Sequence, residues 1–398
     1  MSRLTQRPRL LALAGLALAA CAPGPGLRVE RLDAPAPPGA TAPALSAGNR
    51  GIVSLSWVEP RPPRGRRLRL AERDSLGWRR PRTIVELADA DPARGPDPGV
   101  HAGPCGMYLA DWREAAAAGA AGLWTAVSID GGWTWTAPDA PTEGAERVAP
   151  VGVSTFPSFE GVGLVWLRAG GAGTELRAAV VGGDGRPVAA ALLDAHACRC
   201  CPAAAVHAAL GAVVAYRAER EADGRTSQDI VVRRRERQAW GPARVVHADG
   251  WAAPGCPGHG PALAARADTV VVVWRSASPG RVGVSLAWSF DAGEHFGAPI
   301  TLGAGAGTRQ PVVAFVGGSA VAAWEEAGAW RVARVPAGGQ QAPAFELLPA
   351  SAGVRRLTWV PDGAQVLAAW EEAAAGGVPQ VALARLRLTE GARAWPGS

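Results

Sequence analysis

The sequence predicts an all-β protein built from repeated short strands, and three observations support this. Most of the chain consists of short runs rich in β-branched and aromatic residues, separated by Gly, Pro and Asp. Beyond the N-terminal region, no segment has the periodicity of an amphipathic helix. One element, an apolar run that closes on an aromatic residue, returns along the chain. The closing residues are Trp57, Trp112, Trp166, Tyr216, Trp274, Trp324 and Trp370.

The spacing of this repeat predicts the architecture. Successive closing aromatic residues are 46 to 58 positions apart, and a period near fifty with a few strands per repeat is typical of a β-propeller. A continuous apolar run such as 270–274 suits a strand buried on both faces between two blades. The length of 398 residues is normal for one large propeller. We therefore expect a single β-propeller of seven four-stranded blades, with six blades as the alternative.

The fourth and fifth repeats show the four strands most clearly. The fourth repeat has expected strands at 203–209, 212–217, 229–234 and 243–247. The fifth has expected strands at 262–266, 269–275, 281–289 and 299–302. The second repeat is the weakest, because little before Met107 has the pattern of an inner strand.

The two ends of the chain are expected to meet. The seventh repeat ends at Leu388 without a clear outer strand, whereas residues 27–32 form a strand that belongs to no repeat. Pairing of the two would complete the last blade, close the ring and hide both free edges.

Two turns in different repeats share one pattern of residues. The matching positions are Ser128, Asp130, Gly132 and Trp135 in the first turn and Ser289, Asp291, Gly293 and Phe296 in the second. An Asp at this position can accept hydrogen bonds from the backbone of its own turn, and Gly permits a positive φ. The pattern Ser-x-Asp-x-Gly-x-x-(Trp/Phe) resembles the Asp-box, or BNR repeat, of sialidase-like β-propellers. The resemblance implies structural hairpins between the third and outer strands, far from any catalytic centre.

The N-terminus indicates export and lipid anchoring. Arg3, Arg7 and Arg9 precede an apolar run at 10–20 that is too short to span a bilayer and is typical of a secretory signal. The segment Leu18-Ala19-Ala20-Cys21 resembles a bacterial lipobox, which implies cleavage before Cys21 and lipidation of its thiol. The alternative is an ordinary signal peptide in which the cysteine is incidental.

These features divide the chain into three parts. We expect a lipoprotein signal peptide at 1–20, a lipidated tether at 21–26 and the propeller at 27–390. The acyl chains would hold the protein on a membrane without a transmembrane helix. Ala22 after the cysteine favours the outer membrane, facing the periplasm, if the host is Gram-negative.

The composition argues against two classes of function. The net charge of +6 is spread along the chain, and its densest run, at 233–237, falls within a predicted strand, so no nucleic-acid partner is expected. The sequence contains no lysine, which excludes chemistry that depends on a lysine amine.

Cysteines gather before the inner strands. The segments concerned contain Cys198, Cys200 and Cys201 before the fourth inner strand, Cys256 and His259 before the fifth, and Cys105 before the second repeat. In a propeller, the loops that lead into the inner strands share one face with the loops that join second to third strands. This face surrounds the central channel and usually binds ligands. We therefore expect all the cysteines except Cys21 on one ligand-binding face.

Several interpretations of these cysteines stay open. An exported protein meets oxidising conditions, so disulfides such as Cys198–Cys256 or Cys201–Cys256 are plausible, with at least one thiol left over. Alternatively, the thiolates of 198, 200, 201 and 256 with the imidazole of His259 hold a soft metal, copper or zinc. The remaining interpretation is a redox thiol or no role. The Cys-x-Cys-Cys segment and the later Asp-Gly-Trp…Cys-Pro…Gly-Pro segment resemble bacterial sialidase-like lipoproteins of undefined activity.

The resemblance raises the question of glycoside hydrolysis. It implies three arginines that bind a substrate carboxylate, a Tyr nucleophile assisted by Glu, and an Asp acid/base. The (Phe/Tyr)-Arg-Ile-Pro motif of the first arginine is missing, and Tyr108 and Tyr216 both lie inside predicted core strands. No catalytic residue is assigned from the sequence. The candidates for a catalytic role, which are expected to reach the ligand face, are Arg217, Arg275, Arg309 and Glu325.

The sequence therefore favours a binding or scaffold module over an enzyme. Its expected partners are the membrane, through the lipid anchor, and a glycan or protein ligand at the cysteine-bearing face. No cofactor is certain beyond the copper or zinc considered above. The alternative is an exo-α-sialidase-like glycoside hydrolase acting on sialylated or related glycans.

Overall fold

The structure is a computed structural model of the chain. It describes residues 26–48, 51–87, 98–115, 121–139, 152–170, 173–222, 224–253, 258–304, 311–339, 343–350, 353–374 and 376–389. The described residues form β-strands joined by turns, with one 3-10 turn at Pro104–Gly106. The predicted signal peptide, Cys21, Cys256 and Arg309 lie outside them. The all-β class is confirmed.

The strands form seven antiparallel sheets, which are the blades. Strand β1 (Gly26–Leu32) comes first in the chain but belongs to the last blade. Blade 1 contains β2 (Thr41–Ala47), β3 (Val53–Pro60), β4 (Arg66–Asp74), β5 (Gly77–Trp78) and β6 (Arg82–Leu87). Blade 2 contains β7 (Gly99–Ala102), β8 (Tyr108–Ala115) and β9 (Ala121–Ser128), and blade 3 contains β10 (Ser154–Ser158), β11 (Gly161–Ala169), β12 (Thr174–Val181) and β13 (Pro187–Asp194).

The remaining blades follow the same order, from the inner strand outward. Blade 4 contains β14 (Ala204–Ala208), β15 (Gly211–Ala222), β16 (Arg225–Glu236), β17 (Ala239–Trp240) and β18 (Arg244–His247). Blade 5 contains β19 (Ala262–Arg266), β20 (Thr269–Ser278), β21 (Arg281–Ser289) and β22 (Ile300–Gly303). Blade 6 contains β23 (Val312–Val316), β24 (Ser319–Glu326), β25 (Ala329–Pro336) and β26 (Ala344–Leu348), and blade 7 contains β27 (Arg355–Asp362), β28 (Gln365–Ala373), β29 (Pro379–Thr389) and β1.

The blades close into a ring. The inner strands of neighbouring blades lie side by side around most of the ring, including the first and last, β2 and β27. Blades 2 and 3 share a buried apolar cluster that contains Leu109 and Val162. The predicted seven-bladed propeller is therefore confirmed, and so are the strands expected in the fourth and fifth repeats, of which β15 and β16 extend further than expected.

Each closing aromatic side chain is buried and packs against the preceding blade. Trp274 of blade 5 is fully buried and lies in one cluster with Val213 and Val232 of blade 4. Trp57 of blade 1 lies with Leu367 of blade 7, so the same contact operates across the junction of the chain ends. Each closing aromatic residue of the sequence repeat therefore marks one interface between two blades.

The two chain ends complete blade 7 together, as predicted. Strand β1 pairs antiparallel with β29 from Gly26, opposite Thr389, to Leu32. Arg31 lies 4.5 Å from the ring centroid of Trp370 and donates two hydrogen bonds to Glu372, at 3.1 and 3.2 Å. Side-chain contacts therefore add to the backbone hydrogen bonds that attach β1 to β29.

Blade 2 explains the weak pattern of the second repeat. Its inner strand, β7, has only four residues and no apolar run, and His101 within it lies 2.7 Å from Asp111 of β8. Where the other blades have an outer strand, the described residues of blade 2 have a single bridge between Asp139 and Thr125.

The two matching turns have the hydrogen bonds that their sequence predicts. Ser128 Oγ accepts the N–H of Gly132 at 2.8 Å, and Asp130 Oδ1 accepts those of Trp133 and Thr134 at 3.0 and 2.9 Å. The hydroxyl and N–H of Thr134 hold the pKa of Asp130 well below its usual range. The second turn repeats the pattern, with Ser289 accepting from Gly293 and Asp291 from Glu294 and His295.

The alternation of strand direction gives the ring two different faces. The leading-loop face carries the loops that enter each inner strand and those that join second to third strands. The turn face carries the tight turns from inner to second strand and from third to outer strand, including the turns at 128–135 and 289–296. Among the described residues, no helix is long and apolar enough to cross a membrane.

We expect Arg31→Ala to loosen β1 without unfolding the ring. The variant loses the hydrogen bonds to Glu372 and the contact with Trp370, together worth about 1 kcal/mol. Amide exchange in β1 should then accelerate severalfold, while the melting temperature changes by only a few degrees. Arg28→Ala is the matched control, because Arg28 lies in the same strand and has no ion pair with any described residue. Equal exchange in both variants would contradict this role of Arg31.

Candidate functional site

The leading loops of blades 4 and 5 lie against each other on the leading-loop face. The first spans 195–203 and the second spans 248–261, of which 254–257 lie outside the described residues. The N–H of Gly258 donates to Cys200 Sγ at 3.3 Å. Gly260 packs so closely on Pro202 that a Cβ there would overlap the proline carbonyl oxygen. The two loops therefore form one continuous structure.

Each leading loop starts at an aspartate that binds the closing aromatic residue of the blade it enters. Asp194 accepts a hydrogen bond from Tyr216 at 2.7 Å. Asp249 accepts a hydrogen bond from the indole N–H of Trp274, also at 2.7 Å. It also forms an ion pair with Arg281 at 3.2 Å. The core repeat thus fixes where both loops begin.

The cysteines of the first loop are oxidised. Cys198 and Cys201 form a disulfide, and both are buried. Cys200 is also disulfide-bonded, to neither of these two, and its sulfur lies 3.7 Å from that of Cys198. The disulfide interpretation is therefore correct for this loop, although the bridge within Cys198–Cys201 is not one of the pairs expected from the sequence.

The three sulfurs lie close enough together to suggest a metal site. All three lie within 4.8 Å of one another. However, metal ions such as zinc and copper bind thiolates, and bridged sulfurs are not thiolates. The described residues do not fit copper or zinc while the bridges are intact.

The buried Arg217 side chain joins the second leading loop to strands β16 and β20. It is only 1% exposed. Its guanidinium donates to three backbone carbonyls, those of Gln228 at 2.6 Å, Arg275 at 2.7 Å and His259 at 3.2 Å. Burial lowers the pKa of this arginine to about 10, so it remains charged at neutral pH. Its role is structural, because the side chain is buried and all three of its nitrogens donate to backbone carbonyls.

Arg275 is the opposite case. It lies in β20 directly after Trp274 and is 9% exposed. Its guanidinium makes no hydrogen bond or ion pair with any described residue, and its buried Nε is without a partner. The contact it does make is with the Trp251 ring, whose centroid lies 5.9 Å away. Burial lowers its pKa, because the charge is removed from water without compensation.

His259 lies within electrostatic range of these two arginines and completes the cluster. It is 9% exposed, and its Nδ1 is buried without a partner. Burial, and then the charges of Arg275 and Arg217, lower its pKa to about 4, whereas Glu325 acts in the opposite direction. The imidazole is therefore neutral at pH 7. Of the other candidates, Glu325 at the end of β24 lies within electrostatic range, and Arg309 lies outside the described residues.

Trp251 holds the cluster together and was missed by the sequence analysis as a site residue. Its ring lies 4.7 Å from Arg217 and 5.9 Å from Arg275, and it is 6% exposed. Its carbonyl accepts the N–H of Gln228 at 2.8 Å. The signal that could have found it is its position, eight residues before His259 in the same loop.

Cys105 does not lie on the leading-loop face, which corrects the prediction that the cysteines share one face. It lies in the 3-10 turn between β7 and β8, because the inner strand of blade 2 comes before it and not after it. This turn belongs to the turn face, where the Gly106 carbonyl accepts the N–H of Gly131. Cys105 is exposed and free.

Neither tyrosine is placed or tuned to act as a nucleophile. Tyr108 donates to Glu72 at 2.9 Å near the turn face, and Tyr216 donates to Asp194 at 2.7 Å. Burial, together with the adjacent carboxylate, raises the pKa of both phenols well above the usual value. A phenolate is the reactive form, so both hydroxyls are poor nucleophiles at neutral pH.

We expect one reactive thiol in the oxidised, denatured chain, that of Cys105. Because Gly258 lies against Cys200, we expect the partner of Cys200 to be Cys256. Thiol counting without reductant should give one thiol and, after reduction, every cysteine except the lipidated Cys21. Peptide mapping should show Cys198–Cys201 and Cys200–Cys256. Three or more free thiols together with stoichiometric zinc or copper would contradict the disulfides and favour a metal site.

Comparison with known proteins gives distant similarity only. No family model matches the chain, and no curated protein matches it. Among solved structures it is similar to a protein of unknown function from Dyadobacter fermentans, at 14% identity over 92% of this chain and 100% of that one, with a TM-score of 0.49. It is also similar to Trypanosoma rangeli sialidase in complex with the inhibitor DANA, at 12% identity over 78% of this chain and 56% of that one, with a TM-score of 0.41. Phage phi92 endosialidase is similar at 11% identity over 94% of this chain and 70% of that one, with a TM-score of 0.46. These similarities are too distant to indicate what the chain binds or catalyses.

Proposed function

We propose that this chain is a lipid-anchored envelope protein whose propeller binds a carboxylate-bearing ligand, such as an acidic glycan, at the leading-loop face. The observation that carries the proposal is Arg275, a nine-tenths buried residue whose guanidinium has no hydrogen bond or ion pair to any described residue. Leaving a buried charge unpaired is costly, so such a group is normally compensated by an ion of opposite charge.

The surroundings of Arg275 favour an anion over a cation. Arg217 adds a second positive charge, and the carboxylate that acts on the neutral His259 belongs to one residue, Glu325. A planar guanidinium presents paired N–H groups that match the two oxygens of a carboxylate. Trp251, which contacts both arginines, keeps them at a fixed separation. The cluster is therefore preorganised, which reduces the entropy lost on binding.

The disulfides support binding by holding the site together. The Cys198–Cys201 bridge and the second bridge from Cys200 constrain the first leading loop, whose Pro202 packs against Gly260 of the second. A stapled loop pair keeps Arg275 and His259 in place before the ligand arrives. This role needs no metal and agrees with an oxidising envelope compartment.

We propose binding without turnover. Glycoside hydrolysis through a tyrosine needs an activated phenol beside the bound carboxylate, and the raised pKa values of Tyr108 and Tyr216 oppose this. Tyr108 also lies near the turn face, away from Arg275. No observation specifically favours the hydrolase alternative.

We expect a small acidic sugar to bind wild-type protein and to bind Arg275→Ala at least about tenfold more weakly. Loss of one charge-assisted contact costs about 1.5–3 kcal/mol, and 1.4 kcal/mol is tenfold in affinity. Calorimetry with N-acetylneuraminic acid and with glucuronate would measure this. Arg275→Lys should retain part of the affinity. Arg266→Ala is the matched control, because Arg266 is exposed at the turn between β19 and β20, on the opposite face.

The same binding should strengthen as the pH falls from 7 towards 5. An anion beside His259 raises its pKa from about 4, so protonation adds a third charge to the bound state. His259→Gln should remove this dependence. Equal binding by wild-type and Arg275→Ala protein would contradict the proposed site. Release of product from a fluorogenic sialoside by wild-type protein, abolished in Arg275→Ala, would contradict binding without turnover.

We expect wild-type protein to sediment with the membrane fraction and Cys21→Ala to be released from it. The acyl chains would provide the main membrane affinity, since the described residues contain no membrane-spanning helix. Mass spectrometry of the N-terminal peptide would identify the lipid. Equal membrane association of both proteins, with an unmodified Cys21, would contradict the anchor.

A further inference from the structure

The turn face carries half of the large apolar side chains that are exposed among the described residues, including all the exposed aromatic ones. Six such residues lie in its turns: Leu76, Ile129, Trp133, Phe159, Leu210 and Phe290. Phe159 and Leu76 are essentially fully exposed, at 103% and 96%, and Trp133 is 70% exposed. In the part of the leading-loop face that the structure describes, the exposed large apolar residues are two valines, Val282 and Val378. Clustering of exposed apolar side chains on one face is typical of an interaction surface.

The N-terminal end of the propeller emerges from the same face. Strand β29 runs towards the turn face and ends at Thr389, and β1 pairs with it antiparallel, so Gly26, opposite Thr389, lies at the turn face. Residues 22–25 separate Gly26 from Cys21. A fully extended chain of five residues reaches about 17 Å. A lipid attached to Cys21 would therefore keep the turn face close to the bilayer.

The chemistry of the turn face suits a lipid surface. Trp133 lies under the guanidinium of Arg82, 4.7 Å from its ring centroid, which pairs an aromatic ring with a cation at the level where lipid headgroups would lie. Arg237 and Arg266 are exposed in the turns of blades 4 and 5 and can approach lipid phosphates. The carboxylates of Asp130 and Asp291 are already bonded to their own turns.

We propose that the turn face lies on the membrane surface, with its apolar tips in the headgroup region, and that the leading-loop face points away from the membrane. The proposal rests on the lipid anchor of the proposed function. It assigns the turn face a lipid partner. It also means that the ligand-binding cluster at Arg275 is presented to the aqueous compartment.

Cys105 provides the probe for the test. It is exposed and free on the turn face, so a fluorescent maleimide can be attached to it in the oxidised full chain. The labelled lipoprotein is reconstituted into vesicles that contain lipids brominated near the headgroup. The matched control carries Cys105→Ser and Pro279→Cys, which places the same label at an exposed position of the leading-loop face, between β20 and β21.

We expect brominated lipids to quench the label at Cys105 at least about threefold more than the label at position 279. The combined change Trp133→Ser, Phe159→Ser and Phe290→Ser should reduce the quenching at Cys105, because the tips no longer enter the headgroup region. A matched triple change of exposed residues in the outer strands, Val188→Ser, Leu192→Ser and Val245→Ser, should leave the quenching at Cys105 unchanged.

The outcomes separate this inference from the lipid anchor. Equal quenching at both positions in membrane-bound protein would overturn the orientation while leaving the anchor intact. Absence of wild-type protein from the membrane fraction would instead overturn the anchor. Protection of the Cys105 label from aqueous iodide in native membranes, without quenching in vesicles, would mean that a protein covers the turn face, and would also overturn the proposal.

Discussion

The ring depends on one contact repeated seven times: the closing aromatic side chain of each second strand packs against the preceding blade. Trp57 of blade 1 does this against blade 7, so the contact also joins the two ends of the chain. A buried Trp contributes roughly 3–5 kcal/mol relative to Ala, and its flat shape fills the wedge between two twisted sheets. Each blade therefore depends on its predecessor, and a single blade would leave this face uncovered.

The same contact also positions the candidate site. Asp194 and Asp249 bind the polar atoms of Tyr216 and Trp274, so the core repeat determines where the leading loops of blades 4 and 5 begin. The residue after Trp274 is Arg275, whose side chain alternates to the other side of the strand. Burial of the Trp274 ring on one side of the strand therefore fixes the Arg275 guanidinium on the other side. The guanidinium lies beneath the leading loops, one of which is closed by the Cys198–Cys201 disulfide.

The sequence was sufficient for the fold because the period of the aromatic residues reflects a physical interface. It was insufficient where the pattern was local and weak: the four-residue inner strand of blade 2 has no apolar run, so Cys105 was assigned to the wrong face. The sequence named Arg217, Arg275 and His259 as site residues. It could not show that the guanidinium of Arg217 would be bonded to carbonyls and that of Arg275 left without a hydrogen bond. Which guanidinium finds carbonyl partners depends on how two distant loops pack.

Strand direction explains why the two faces differ in chemistry. In an antiparallel blade, tight turns alternate with longer loops, so the turn face is formed by short hairpins whose tips must point outward. Apolar residues at those tips, such as Phe159, cannot reach the core and remain exposed. The longer loops of the other face can fold back over the channel and bury charge, as the loop containing Trp251 does. Because β1 must run antiparallel to β29 to close the ring, the N-terminal end of the propeller is directed to the turn face. The pairing that closes the ring therefore also sets the orientation that we propose for the membrane anchor and for the candidate binding cluster.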